Sequence, residues 1–187
     1  MDAAAAHAIL FENLDYDPGK FYSNAENLPV GVGSIFSAVR LPLYDTETAL
    51  YYTSAETGYI LSHECDIDPA NDRPFSEFVL ICPILPLEEW IPTYLEDHNE
   101  ADLKSLLAHI GKRNVSRVFY LPPLPPSLQF GGLMYLNQIT HAHVSALTSE
   151  STKRIASVTE YGLQKLDHMI QNHLLRPKAV RLALGQW

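Results

Sequence analysis

"FVLICPI", residues 78–84, is the run on which the fold turns. Phe78-Val79-Leu80-Ile81-Cys82-Pro83-Ile84 is nearly unbroken apolar text, and so short a run predicts a strand covered on both faces. Upstream, Tyr59-Ile60-Leu61-Ser62-His63 and Leu50-Tyr51-Tyr52-Thr53 predict two more strands. Ile35-Phe36-Ser37-Ala38-Val39 predicts another, approached through Gly31 and Gly33 and closed by Leu41-Pro42. Downstream the period changes. Leu87, Trp90, Ile91, Tyr94 and Leu95 recur at helical steps, as do Leu103, Leu106, Leu107 and Ile110 until Gly111. Asn99 is placed to cap the second of these helices, with Glu100 and Asp102 in its first turn.

The flanks complete the pattern. Residues 3–14 predict a short helix with Ala8, Ile9, Leu10 and Leu14 on its apolar side, then a turn at Asp17-Pro18-Gly19. Val115 to Leu121 predicts a strand that leaves through the extended proline tract 121–126. Phe130-Gly131-Gly132 opens two strands, about 133–137 and 138–147. A closing helix, 151–175, takes Ser149 or Ser151 as its cap and points Ile155, Val158, Leu166, Met169, Ile170 and Leu174 inward. Strands, a helix pair, strands and a helix make an α+β order rather than alternating βαβ units. The expectation is one domain, 1–187, with a small, strongly bent barrel over about 28–148. The barrel carries a helical insertion at 87–111, and a C-terminal helix at 149–176 follows.

Hydrophobic residues are 47% of the chain and charged residues 19%, enough for a sizeable core. No apolar run reaches the roughly 18 residues of a membrane helix. The N-terminal text lacks a basic segment ahead of its apolar part, and two cysteines cannot form a disulfide framework; a soluble, cytoplasmic protein is expected. Residues 1–102 hold 3 Lys/Arg and 19 Asp/Glu, whereas residues 103–187 hold 10 and 3. The simplest account is attraction between the halves, within one chain or across a dimer. If RNA binds, it binds the basic half, near Arg176, Lys178 and Arg181.

Chemistry concentrates in "LSHECDID", residues 61–68. In an extended chain His63 and Cys65 share one face, while Ser62, Glu64 and Asp66 take the other. With His141 and His143 of Thr140-His141-Ala142-His143 they make a possible four-ligand zinc site. A nucleophilic Cys65 is disfavoured, because Glu64, Asp66 and Asp68 oppose a thiolate. A calcium loop begun at Asp66 fails at Ala70 and Asn71, where an oxygen ligand and a glycine belong. A turn between strands, shaped by a buried Asp66 bonded to loop amides, accounts for the acids best.

Gly33-Ser34-Ile35-Phe36, Tyr59-Ile60-Leu61-Ser62 and Phe78–Ile84 together resemble the strands of PemK/MazF-type toxins over about residues 31–86. That resemblance implies an SH3-like barrel. It would also imply an endoribonuclease that sets an arginine ahead of the second strand and a Ser or Thr near it. Here Gly58 occupies that place, and Arg40 is the displaced cation that, with Ser62 and His63, would serve catalysis. The stretch is also similar to bacterial and phage proteins that carry "LS-x-x-CD" before an apolar strand.

Three functions are therefore expected to compete. The first is a non-catalytic binding module of toxin–antitoxin or phage-defence type, a homodimer or bound to a protein partner through the C-terminal helix, where Leu163 and Leu175 offer a second apolar stripe. The second is a ribonuclease built on Arg40, Ser62 and His63. The third is a zinc protein built on His63, Cys65, His141 and His143.

Overall fold

A computed structural model describes residues 1–23, 28–45, 47–68, 70 and 77–174. Among them, five helices accompany eight strands: α1 (Ala3–Glu12), α2 (Glu64–Ile67), α3 (Leu87–Asp97), α4 (Glu100–Gly111) and α5 (Glu160–Leu174). The strands are β1 (Tyr22–Ser23), β2 (Ser34–Asp45), β3 (Leu50–Ile60), β4 (Phe78–Pro86), β5 (Val118–Leu121), β6 (Gly132–Tyr135), β7 (Thr140–His143) and β8 (Lys153–Val158). All form one antiparallel sheet in the order β1-β8-β2-β3-β4-β6-β5, and β7 also pairs with β4. The mixed α+β class stands. The path runs open from β1 to β5 rather than closing into a ring.

The 78–84 run is a strand inside the sheet, but it is covered on both faces only from Ile81 to Ile84; at its start Phe78 and Leu80 are half exposed. Ile81 to Ile84 of β4 pair β3 on one edge, while the other edge carries β6 and then β7. Those two are halves of one antiparallel run along β4. Three steps of β4, from Ile81 to Ile84, face six steps from Thr140 back to Met134, so Leu136–Ile139 loop out of the ladder.

Three boundaries differ from the sequence reading. The strands expected at 50–53 and 59–63 are a single β3, because β2 pairs it from Asp45↔Leu50 to Ile35↔Tyr59 across a polar middle that has no hydrophobic signal. β2 does not stop at Pro42. Its partner β8 ends at Ser37, so the N–H that proline lacks falls on an unpaired edge. Finally, residues 153–158 are strand, not helix. Ile155 and Val158 belong to β8, held by β2 and β1, and tertiary pairing overrides the serines that resemble caps. Ser149 instead bonds Ser151 and Thr152, and Thr159 Oγ1 accepts the Gly162 N–H at 3.2 Å to start α5. Residues 144–147, read as strand, form a 3₁₀ turn.

Three cores follow. α5 lays Leu166 and Met169 on Ile35, Tyr59, Cys82 and Ile84, beside a stack of Tyr16, Phe21 and Phe119 with ring centroids 5.3–5.9 Å apart. α1, α3 and α4 bury Leu10, Trp90, Ile91, Leu103 and Leu107 against Val118, Tyr120 and Leu133. Each such side chain contributes about 1.5–3 kcal/mol on burial. Ala8, expected on the apolar side of α1, is exposed, and Ala6 packs in its place. The third core sets Val39 and Leu41 of β2 against Val79, Ile81 and Ala142 of β4 and β7, so the sheet bends over itself. Register shifts on both sides of β2 between Ile35 and Val39, with Ala38 at φ +55°, supply the bend. No helix among the described residues is long and apolar enough to cross a membrane.

Candidate functional site

The octet leaves β3 at the point where that strand lies against β4. Leu61 donates its N–H to the Leu80 carbonyl at 2.8 Å, and Leu80 returns its own N–H to Ser62 Oγ at 2.8 Å. The chain then turns into α2 instead of continuing extended. His63 is the N-cap, and its Nδ1 accepts the Cys65 N–H at 3.2 Å; Asp66 N–H bonds the His63 carbonyl and Asp68 N–H the Glu64 carbonyl. The buried Gly31 packs directly against this turn: a Cβ there would stand 2.9 Å from the Glu64 backbone nitrogen.

The face-sharing of His63 and Cys65 expected from a strand therefore gives way to a helical first turn. The new geometry still gathers ligands. One ligand atom each from His63, Glu64 and Cys65 lie within 4.8 Å of one another. This trio can hold a borderline metal such as zinc, with Nε2 the imidazole nitrogen left over by the cap.

His141 and His143 stand apart from it. They sit on β7 opposite Leu80 and Phe78, so β4 lies between them and the end of β3. The Phe78 ring contacts both, at centroid distances of 5.6 and 5.7 Å. His143 repeats the device of His63, its Nδ1 accepting the Ser145 N–H at 3.2 Å to cap the 3₁₀ turn. The two histidines are thus local twins, and the expected four-ligand cage is not assembled.

The acids behave differently from expectation. Asp66 is exposed rather than buried, and Asp68 Oδ1 accepts a turn amide, the Ala70 N–H at 2.9 Å. The remainder of the expected turn, Pro69 and residues 71–76, lies outside the described residues.

Within the ribonuclease trio Arg40 stands away from the adjacent Ser62 and His63. Arg40 pairs with Ala55, and five steps along β3 lead from that position to Ile60, roughly 17 Å of strand at 3.3 Å per residue. Ser62 follows two residues further on. Arg176, Lys178, Arg181 and Leu175 lie outside the described residues.

Two features carried no motif. At the far end of the β2–β3 ribbon, Tyr44 and Tyr51 pair on one face with ring centroids 5.1 Å apart, and Leu43, Tyr52 and Leu50 follow the other. The density of large apolar side chains at 50–52, next to polar turn residues, was the available signal. The second feature is a cavity beside the octet, reached through Leu61 and Leu80. It depends on a loop-out that no short pattern encodes.

Both buried thiol and phenol chemistry is quiet. Burial pushes the Cys82 thiol up to about 12, and its Sγ donates to the Tyr135 carbonyl at 3.1 Å. Burial likewise raises the Tyr59 phenol. Compared with known proteins, the chain matches no family model and no curated sequence.

Proposed function

We propose that the chain is a non-catalytic binding module whose β2–β3 ribbon engages a protein partner. One observation carries the reading: Tyr44, Leu50, Tyr51 and Tyr52 are 52%, 65%, 78% and 50% exposed, clustered at the end of one ribbon. Soluble proteins seldom leave such a patch uncovered, and tyrosine is favoured where one surface docks on another. The ribbon also offers backbone. Among the described residues, β4 pairs β3 only from Thr57 onward and no strand covers the outer edge of Leu50–Glu56, an edge suited to strand addition. Asp45, Glu47 and Glu56 on the ribbon favour a partner whose added segment is basic.

The sharp bend of β2 and the core it encloses with β4 and β7 support an SH3-like reading of this half of the sheet. A toxin–antitoxin or phage-defence setting rests on the sequence resemblance. Ribonuclease chemistry finds no support in the separation of Arg40 from Ser62. Leu163 packs against the first core, so the ribbon serves a partner better than the stripe on α5.

A photo-crosslinking residue at position 51 tests the proposal in cells. The expected result is a polypeptide adduct that is lost in Tyr44→Ser/Tyr52→Ser and weakened by high salt. Cleavage of RNA by the purified chain, abolished by Arg40→Ala, would overturn it.

A further inference from the structure

The outer edge of β3 carries a charge pattern as well as open backbone. From Val39↔Glu56 to Asp45↔Leu50 its ladder with β2 runs without a register shift. The edge facing away is therefore regular, and Leu50–Glu56 contains no lysine, proline or bulge, the devices that keep a bare edge from pairing. Each of those residues is described, and they lie at the opposite end of β3 from the octet.

Alternation sorts what an added strand would meet. Glu56, Ser54 and Tyr52 share one face, whereas Ala55, Thr53 and Tyr51 share the other with Arg40, the cross-strand partner of Ala55. Glu56 is the one charged residue among the seven. Residues 41–72 hold seven Asp/Glu and no Lys/Arg, so the ribbon attracts a basic segment and repels a second copy of itself.

We propose that this edge receives an extended segment of a basic protein, antiparallel to β3, with Lys or Arg opposite Glu56 and uncharged strand-forming residues along the rest. The inference rests on the ribbon reading above and names the partner's chemistry. Antiparallel addition continues the pairing of the whole sheet. Backbone bonds supply affinity whatever the sequence, and the charge at Glu56 fixes register. A slip of one residue carries the incoming cation to the other face, where Arg40 stands.

The test titrates the amide-labelled full chain with the capped peptide Lys-Thr-Ser-Thr-Thr-Val-Thr and with a twin that begins with Glu. The lysine peptide is expected to shift the amides of Leu50–Glu56 saturably and to slow their exchange with solvent. It should bind about threefold more tightly than its acidic twin at low salt, a gap that closes as salt rises. In Glu56→Lys the preference should disappear. The lysine peptide methylated on every backbone nitrogen keeps the charge but loses the ladder, and should leave these amides unmoved.

Shifts that survive backbone methylation overturn the proposal, as does a lysine preference unchanged in Glu56→Lys. A shift of the same amides with protein concentration alone gives the edge to a second copy and overturns it too. If the peptide does not bind while the crosslink from position 51 forms undiminished in Glu56→Lys, the ribbon remains a docking surface and the basic strand alone is refuted.

Discussion

Ser62 Oγ accepts the backbone N–H of Leu80 at 2.8 Å, and through it the octet is fastened to the central strand. Ser62→Ala removes the acceptor and leaves an amide at the edge of β4 unpaired. A loss of about 0.5–1.5 kcal/mol is expected in urea unfolding, with Ser62→Thr retaining most of it. A larger loss would mean that the serine has a second task.

The thiol of Cys82 makes the fold sensitive to base. Its ordinary value near 9 is pushed up to about 12 by burial, so between those limits the native state keeps a proton that the unfolded chain has released. Stability is therefore full below pH 9 and falls as pH rises toward 12. Burial raises Tyr16, Tyr22, Tyr59 and Tyr120 in the same direction, which adds to the fall above their ordinary value of 10. Urea midpoints measured across this range should decline, and less steeply in Cys82→Ala. At pH 8 iodoacetamide should modify Cys65 well before Cys82.

Gly131 is where the chain passes under Tyr120. Its φ is +86°, and an added Cβ would lie 2.4 Å from the Leu121 carbonyl oxygen. Gly131→Ala should cost at least about 2 kcal/mol, from backbone strain and overpacking together. Gly19→Ala, at an exposed position where the nearest atom is 3.3 Å away, should stay within about 0.5 kcal/mol in the same assay.

Any metal held by the octet should depend on its own side chains. Cobalt titration is expected to give a thiolate charge-transfer band that disappears in Cys65→Ser and weakens in His63→Ala. The double variant His141→Ala/His143→Ala should leave the band unchanged. A band that needs the β7 histidines would restore the four-ligand cage.

The helix pair at 87–111 was readable because its signals are local. Asn99 Oδ1 accepts the Ala101 and Asp102 N–H groups at 2.8 and 3.0 Å, as its place before Glu100 implied. The middle of β3 was not readable. Ser54, Ala55 and Glu56 have no apolar rhythm, and only their ladder with β2 makes them strand. The same holds for residues 153–158, whose strand pairing is set by residues more than a hundred positions away. For the octet, the extended geometry expected from the sequence gives way to a helical turn. A helix of four residues leaves no period to detect, so His63 was assigned to a strand when it caps a turn. The tyrosine ribbon depends on what the other described residues leave uncovered, which no local pattern encodes.

Leu136–Ile139 hang between two half-strands, each anchored to β4 by its own ladder. Leu136 is buried in the first core and donates its N–H to the Arg117 carbonyl at 2.9 Å, so the two ends of the loop-out are held by the fold and change of length or chemistry falls on the exposed Asn137 and Gln138 between them.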